Sequence, residues 1–502
     1  MPYRIELDHN HATVVDRTLL PLVKDILSFR HPQYEEIIRN DYSRGIHRYT
    51  NPDGTPRWDG MVRFLKNGQF PSGLLPIVLD AMKGRNGLTE QDILYPEYPE
   101  AQGPIGDFPD SPLRDYQFRA AEVMLERHRG ILWLATNAGK TLIAIAVTRA
   151  LGQPTLFLVH RRSLMHQTAK EFKRLLPDCD IGTIGDAIWK PGDITIATIQ
   201  TLSGRFSKSG FRYIPSKELK EFLDKQKVLF FDECHRTATS LGVRTIGDYC
   251  GAPYRFGLSG TPIYKSDLDS ITLMGATGPV LARVTNQELI VGGYSAEPLV
   301  YMLDVPQGPK VCPSQKWRRA YEMGIMENPE RTDLILKILK ASAGLGLPAV
   351  VIVKRIQHGE ELTQSCLGSG LRAAFLSGQD PTPRRDAVMA EFGKTLDVIV
   401  ASTIFEEGLN IPQMRVLVLA GGGKSERAVL QSVGRVLRRS TEEQHEIAYV
   451  FDFIDNGNSY ILGHTQDRLK HYRAEGFKIS SAFPNEFEEA IHEGISDRQY
   501  PQ

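Results

Sequence analysis

Gly139-Lys140-Thr141 stands where an apolar run, Ile131 to Ala135, gives way to a helix-forming run, Thr141 to Leu151. A strand–turn–helix of this kind aims backbone N–H groups and a helix N-terminus at a phosphate. Lys140 could reach the outer phosphates of a nucleoside triphosphate, and the Thr141 hydroxyl could hold Mg²⁺. A second apolar run, Val228 to Phe231, ends in Asp232 and Glu233. Carboxylates at the end of a buried strand suit two tasks: Asp232 on the metal shell and Glu233 beside an attacking water. Either segment alone is unspecific, since a small loop before a helix is common. The two in this order imply hydrolysis of ATP with Mg²⁺. Leu134 occupies the place of the first glycine of the usual phosphate-loop pattern. Asn137 stands where many such loops have glycine, and asparagine tolerates a left-handed turn.

A third segment, Gln431 to Arg439, begins a predicted helix on which Arg435 and Arg438, three residues apart, share one face. Guanidinium forks suit a γ-phosphate whose charge grows in the transition state. Supplied from a second domain, they would make hydrolysis depend on closure of a cleft. The plainer alternative is a solvated basic helix.

These groups need elements to hold them. At 502 residues, 41% of them hydrophobic, the chain is expected to hold two to four domains. The runs ILWLA, TLFLVH, ITIATI, VLFFDE and YRFGLSG alternate with helical patterns. So do AVVIVK, RAAFLS, LDVIVAS, RVLVLAG and AYVFDFID further on. Such alternation predicts parallel sheets covered by helices. The expected organisation is a small N-terminal domain (1–95), a proline-rich linker (96–112), two α/β domains (113–293 and 294–457) and a helical extension (458–502). No run of 18 apolar residues or signal-peptide pattern is present. The five cysteines are scattered, which points to a reducing cytoplasm and away from zinc or disulfides. Net charge is zero, so nucleic acid would have to be met by a local groove.

With these segments placed, the chain resembles a superfamily 2 helicase over about residues 113–455. LRDYQ (113–117) is similar to the adenine-reading motif and implies nucleotide contacts from Arg114 and Gln117. ATNAGKT resembles motif I, adding Thr136, Asn137, Ala138 and Gly139 to Lys140 and Thr141. LVHRRSLMHQ (158–167) and ATIQTL (197–202) resemble strand-contacting motifs, and DECH (232–235) resembles motif II. LSGTP (258–262) resembles motif III, with Ser259 and Thr261 as coupling hydroxyls and His235 linking them to the nucleotide. VIVKRIQHG (351–359), ASTIFEEGLNIP (401–412) and QSVGRVLR (431–438) resemble motifs IV, V and VI, implying roles for Gly408 and Gln431. The implied fold is α/β: two tandem RecA-like parallel-sheet domains, a small α+β N-terminal domain and a short helical C-terminal tail.

Within that superfamily the chain is most similar to the phage UvsW type of branched-DNA helicase, on DECH, LSGTP, QSVGRVLR with AYVFDFID, and RWDGMVRFLKNGQFPSGLL. The resemblance implies an ATP-dependent helicase or translocase on forked or four-way DNA, monomeric, cytoplasmic and able to meet replication or recombination proteins. Residues 39–88 carry eight basic side chains against four acidic ones, with aromatics between them. Arg57, Trp58, Arg63 and Lys66 are expected on DNA, and Phe64 and Phe70 in the core. In the motor, Arg161, Arg162, Thr201, Lys354 and Thr403 are expected on the DNA backbone. Two alternatives stay open: a motor subunit of a restriction or repair nuclease, and an ATP-gated clamp that does not part strands.

Overall fold

A parallel strand covered on both faces must be apolar along its whole length, and this chain supplies two sets of such strands. The computed structural model describes residues 4–492 except 84–87, 107, 109–110, 136–137, 210–211, 235–240, 261–267, 306–316, 403–413 and 424–446. The chain divides into two compact units, Met1–Leu134 with Gly139–Arg283, and Ala135–Ala138 with Val284–Gln502.

The first unit is built on an eight-stranded sheet. Its six inner strands are parallel, in the order Ile181–Gly185, Ile194–Thr198, Thr155–Val159, Val228–Phe231, Tyr254–Ser259 and Arg129–Leu134. Ile188–Lys190 runs antiparallel at one edge, and Val280–Val284 closes the other. Every residue of Thr155–Val159, Ile194–Thr198 and Val228–Phe231 is buried. The helix Lys140–Leu151 is apolar nearly all round, with Ile143 to Thr148 all buried, because it too lies inside the unit.

The N-terminal segment belongs to the same unit. A four-stranded sheet, in the order Gln69–Pro71, His11–Val14, Ile5–Leu7 and Ile93–Leu94, carries the helices Leu20–Ile26 and Leu75–Met82. Phe70 is in its core, and Phe64 packs against that core edge-on to Phe29. The core runs without a break through Leu74 and Leu75 into Ile271, Leu273 and Met274 of the motor sheet's covering helix. Backbones meet here: a Cβ on Gly73 would lie 2.1 Å from the Met274 carbonyl oxygen.

Two arginines weld the junction. Arg129 and Arg255 are cross-strand partners at the amino ends of neighbouring strands. Arg129 donates to the Thr277 carbonyl at 3.0 Å and to Ser72 Oγ. Arg255 donates to the carbonyls of Ala252 (2.8 Å) and Gly247 (2.9 Å), and to Asn10 Oδ1. Most of these acceptors lie at or just beyond the C-terminal ends of the helices Leu241–Tyr249 and Leu268–Ala276. The helix ends, with their partial negative charge, therefore hold two adjacent cations, Arg255 buried and Arg129 half-buried. Desolvation and the neighbouring Arg255 still push Arg129 down to about 9.

The described residues between 96 and 112 belong to the same unit. Tyr98 stacks on His128 at 3.9 Å, Tyr254 Oη donates to the Pro99 carbonyl at 2.5 Å, and the Gln102 and Gly103 N–H groups share the Ala150 carbonyl.

The second unit holds a seven-stranded sheet, parallel throughout, in the order Ala373–Leu376, Val398–Ala401, Ala349–Ile352, Val416–Val418, Ile447–Ile454, Glu297–Asp304 and Lys478–Ser480. The last strand comes from the segment expected to be helical. It sits between the helices Ser459–Ala474 and Asn485–His492, and it pairs Lys478 with Leu299. Phe487 from the final helix is fully buried against Tyr449 and Phe451.

Replacing Arg255 with Met should strip several buried carbonyls and Asn10 of their donor while keeping the volume. We expect a loss of about 3 kcal/mol, read as a lower denaturation midpoint together with faster proteolysis between residues 84 and 112. An unchanged midpoint would mean that the guanidinium does not hold the junction.

Candidate nucleotide site and nucleic-acid face

Three neighbouring strands of the first sheet end side by side, and each brings one part of the site. Arg129–Leu134 leads into the phosphate loop, Tyr254–Ser259 ends in Ser259, and Val228–Phe231 ends in Asp232 and Glu233. Ser259 is fully buried, paired with Trp133, on the strand between the other two. The loop turns at Gly139, which has φ +77° and caps the helix Lys140–Leu151. A side chain is excluded there twice over, because a Cβ would lie 2.2 Å from Gln117 Nε2. Gln117 is buried and accepts the Arg114 backbone N–H at 2.9 Å, closing the first turn of the helix Asp115–Arg127. Arg114 itself reaches the Tyr116 hydroxyl at 3.3 Å. Gln117, Gly139, Lys140 and Thr141 thus converge at one end of the sheet, and the buried Ala138 donates to the Ala135 carbonyl at 3.1 Å.

Charge in this corner is finely set. Lys140 Nζ donates to the Leu134 carbonyl at 3.4 Å. Asp232 is nearly buried, and its Oδ1 accepts the Glu233 N–H at 3.0 Å. Burial, and then the Glu233 carboxylate, push Asp232 up to about 7 against the pull of Lys140. Glu233 is held in the left-handed region, φ +45°, an unusual conformation for a residue with a Cβ. A hydroxyl and carboxylates beside a phosphate loop are the hard-oxygen set that suits Mg²⁺, and a cation would relieve the cost of ionising Asp232. Thr141 and Asp232 therefore fit the metal, and Lys140 and Gly139 fit the phosphates.

Two family models match the chain: "Type III restriction enzyme, res subunit" over residues 110–264 and "Helicase conserved C-terminal domain" over residues 330–440. A putative DNA 3′–5′ helicase Rad25 of Haloarcula marismortui is 28% identical over 65% of the chain, and the match spans half of that relative's length. The ATP-dependent DNA helicase uvsW of Enterobacteria phage T4 is 25% identical over 72% of the chain and 75% of its own. The chain belongs to superfamily 2 of the ATP-dependent helicases. Its fold agrees with that of Saccharomyces cerevisiae Dbp5 solved with RNA and ADP–BeF3, at TM-score 0.54 and 14% identity, covering 78% of the chain and 98% of Dbp5.

In the helicase, the next two strands of the same sheet carry the residues expected on nucleic acid. Thr155–Val159 is followed by His160 and Arg161, and Ile194–Thr198 is followed by the helix Ile199–Ser203. Gln200 Nε2 donates to the His160 carbonyl at 2.9 Å, and the Thr198 and Thr201 hydroxyls share a 2.7 Å bond. Arg161 precedes the helix Arg162–Leu175. Arg162 is exposed and pairs with Asp186 at 3.0 Å. In the second unit, Lys354 follows the strand Ala349–Ile352 and lies over Gly423.

The N-terminal candidates divide. Arg57 is exposed and bonds Asn51 Oδ1 at 2.7 Å. Lys66 is exposed beside a turn. Arg63 forms a two-pronged pair with Asp59, whose carboxyl it holds down to about 2. Trp58 donates its ring N–H to the Met61 carbonyl at 3.0 Å and is edged by His31, Tyr34 and Tyr49. That is the geometry of a local aromatic knot more than of an open stacking platform. Thr136, Asn137, His235, Thr261, Thr403, Gly408, Gln431, Arg435 and Arg438 lie outside the described residues.

Sequence reasoning passed over Arg331 and Arg468, both fully buried in the second unit. Arg331 donates to Asp455 Oδ1 (2.9 Å) and the Ala420 carbonyl (2.7 Å); Arg468 donates to Asp452 Oδ2 (2.7 Å) and the Gly423 carbonyl (2.9 Å). Together they fix the glycine turn 421–423 at the carboxyl ends of the strands. The signal for Asp452 and Asp455 was present as two acids in the apolar run AYVFDFID.

Because Asp232 is raised, binding of Mg²⁺ with nucleotide must expel a proton below about pH 7. Affinity should therefore rise with pH and level off above 7, being about tenfold weaker at pH 6 than on the plateau. Titrating a fluorescent nucleotide across pH with Mg²⁺, and again in EDTA, checks this. A flat profile in Mg²⁺ would be inconsistent with a raised Asp232.

Proposed function

We propose that this helicase couples ATP hydrolysis to translocation along DNA and acts at branches, unwinding forks or driving branch migration of four-way junctions. The observation that supports this best is the shared edge. The phosphate loop, Ser259, Asp232, His160 with Arg161, and Thr198 with Thr201 follow five adjacent strands of one sheet. A nucleotide end and a polar, basic end thus share one rigid element.

The roles follow from chemistry. Gln117 and Arg114 would read the base, and Gly139, Lys140 and Thr141 would hold the phosphates. Glu233 would take a proton from the attacking water. Thr141 and Asp232 would hold Mg²⁺, which neutralises phosphate charge when bound. Arg435 and Arg438 would meet the charge that develops on the γ-phosphate, and Gln431 would help position the water. Arg161, Arg162, Thr201, Lys354 and Thr403 would grip the DNA backbone without reading sequence. Branch preference is inferred from the N-terminal segment, since a sheet welded to the motor by Arg129 and Arg255 must travel with it and can meet a junction through Arg57 and Lys66.

The family description over residues 110–264 favours a second reading, a motor subunit of a restriction or repair nuclease. Recovery of a nuclease with the tagged protein would favour that reading.

Hydrolysis measured on a panel of fork, four-way junction, plain duplex, single strand and RNA duplex should be highest with branched DNA. Lys140→Ala should lower it by about a hundredfold or more without unfolding the protein. Stimulation by RNA alone would overturn the DNA assignment, and equal stimulation by every DNA would overturn the branch preference.

A further inference from the structure

One more strand lies beyond those assigned to nucleic acid. Ile181–Gly185 runs parallel to Ile194–Thr198, with Ile184 level with Ala197, and then turns back into Ile188–Lys190. Its carboxyl end therefore stands beside Thr198. A Cβ on Gly185 would lie 3.1 Å from the Thr198 side chain and 2.7 Å from Met165 Sδ. Gly185 is thus seated against both the end of that neighbouring strand and the opening turns of the helix Arg162–Leu175. That helix starts just past the strand Thr155–Val159, at the same carboxyl edge.

The turn after Gly185 is two residues long. Asp186 and Ala187 are both left-handed, at φ +51° and +62°. Hairpin turns of this form favour asparagine and glycine, because a Cβ crowds the following carbonyl there. Asparagine would serve the backbone at position 186 as well as aspartate does. What aspartate adds is a charge.

That charge is spent on the helix. Asp186 Oδ1 accepts from Arg162 Nη1 at 3.0 Å, and Oδ2 lies 3.5 Å from His166 Nε2, one helical turn further on. All three side chains are exposed, Arg162 at 74%. An ion pair so open to water contributes little to folding. It also stands in an awkward place. Arg162 is one of the groups to which the proposed function assigns the DNA backbone, and a carboxylate beside a phosphate repels it. An acid here opposes binding and adds little stability, which is the behaviour of a competitor.

We infer that Asp186 is a counter-charge for Arg162: it occupies the guanidinium when no DNA is bound, and a backbone phosphate takes its place when DNA arrives. This rests on the proposed function. A translocating motor must release the backbone in every cycle, and a standing competitor makes the Arg162 contact exchangeable. Asp186 acts through Arg162 and is therefore a positioning residue.

The test uses full-length protein and a labelled single-stranded oligonucleotide at fixed low salt. Asp186→Asn keeps the turn and removes the charge. DNA should leave this variant about fivefold more slowly, with affinity raised by about the same factor. With Arg162→Ala already in place, the same change should move affinity by less than about twofold. Ala187→Gly keeps every charge and relaxes the turn, and should leave affinity within about twofold of wild type. Unchanged or weaker binding by Asp186→Asn would overturn the counter-charge. An equal gain with and without Arg162 would overturn it too, leaving the carboxylate a plain repulsive charge. A gain in Ala187→Gly as large as in Asp186→Asn would assign the effect to the shape of the turn and overturn it likewise. Arg162→Ala binding as tightly as wild type would instead overturn the placement of Arg162 on DNA in the proposed function, and the counter-charge with it.

Discussion

A hydrogen-bonded parallel sheet buried on both faces admits a polar side chain along its length only where a partner is buried with it, as Arg468 is with Asp452. That constraint organises this helicase. In the first unit, Val228–Phe231 is wholly buried, and the chain becomes polar only at Asp232. The same holds at Val159, where His160 and Arg161 begin, and at Thr198. In the second unit Lys354, Ser402, Gly421 and Asp455 all follow the last residues of buried strands. Chemistry gathers at the carboxyl ends because strands end there and helix N-termini with unpaired N–H groups begin.

Cations packed into the protein are held differently at the two edges. At the amino ends of the first sheet, Arg129 and Arg255 are held by main-chain carbonyls, mostly at helix ends, and the purpose served is joining the N-terminal sheet to the motor. At the carboxyl ends of the second, Arg331 and Arg468 are held by Asp455 and Asp452, with Tyr472 also bonded to Asp452 at 2.8 Å. Buried pairs of this kind add little net stability, since desolvation offsets most of the attraction. What they do supply is geometry: each guanidinium spends a further donor on the turn between Ala420 and Gly423. The network therefore fixes the chain up to Gly423.

Much of this was legible in the residues. Five strands of each sheet appear as apolar runs, and the phosphate loop and the paired acids are local patterns that become specific in that order along the chain. What local pattern does not carry is the identity of a distant partner. Arg129 and Arg255 look like the polar starts of strands; nothing in RGILWLA or YRFGLSG says that they meet Asn10 and Ser72. The edge strand Lys478–Ser480 has three residues, too few for a period to register, and is fixed only by its pairing with Glu297–Asp304. Trp58 and Arg63 pose the reverse case. Aromatic and basic residues together suggest nucleic acid, yet Asp59 and Met61, a few residues away in the chain, satisfy both polar groups. A charged side chain is informative about partners only once its nearest neighbours have been counted.

The position of Ser259 suggests how the two ends of the first sheet communicate. Its strand lies between the strand entering the phosphate loop and the strand ending in Asp232. Beyond these come the strands of His160 and Thr198, so the phosphate loop and Thr201 are four strand spacings apart, roughly 19 Å at about 4.8 Å each. A sheet that is buried and fully hydrogen-bonded does not stretch across that distance. Any change at the nucleotide must therefore leave through the segments beyond the strand ends, where Glu233 is already held in a left-handed conformation and Asp232 is poised between charged and neutral. The rigid sheet keeps the nucleotide end and the nucleic-acid end in fixed register, and the few residues past its edge are where binding energy can become movement.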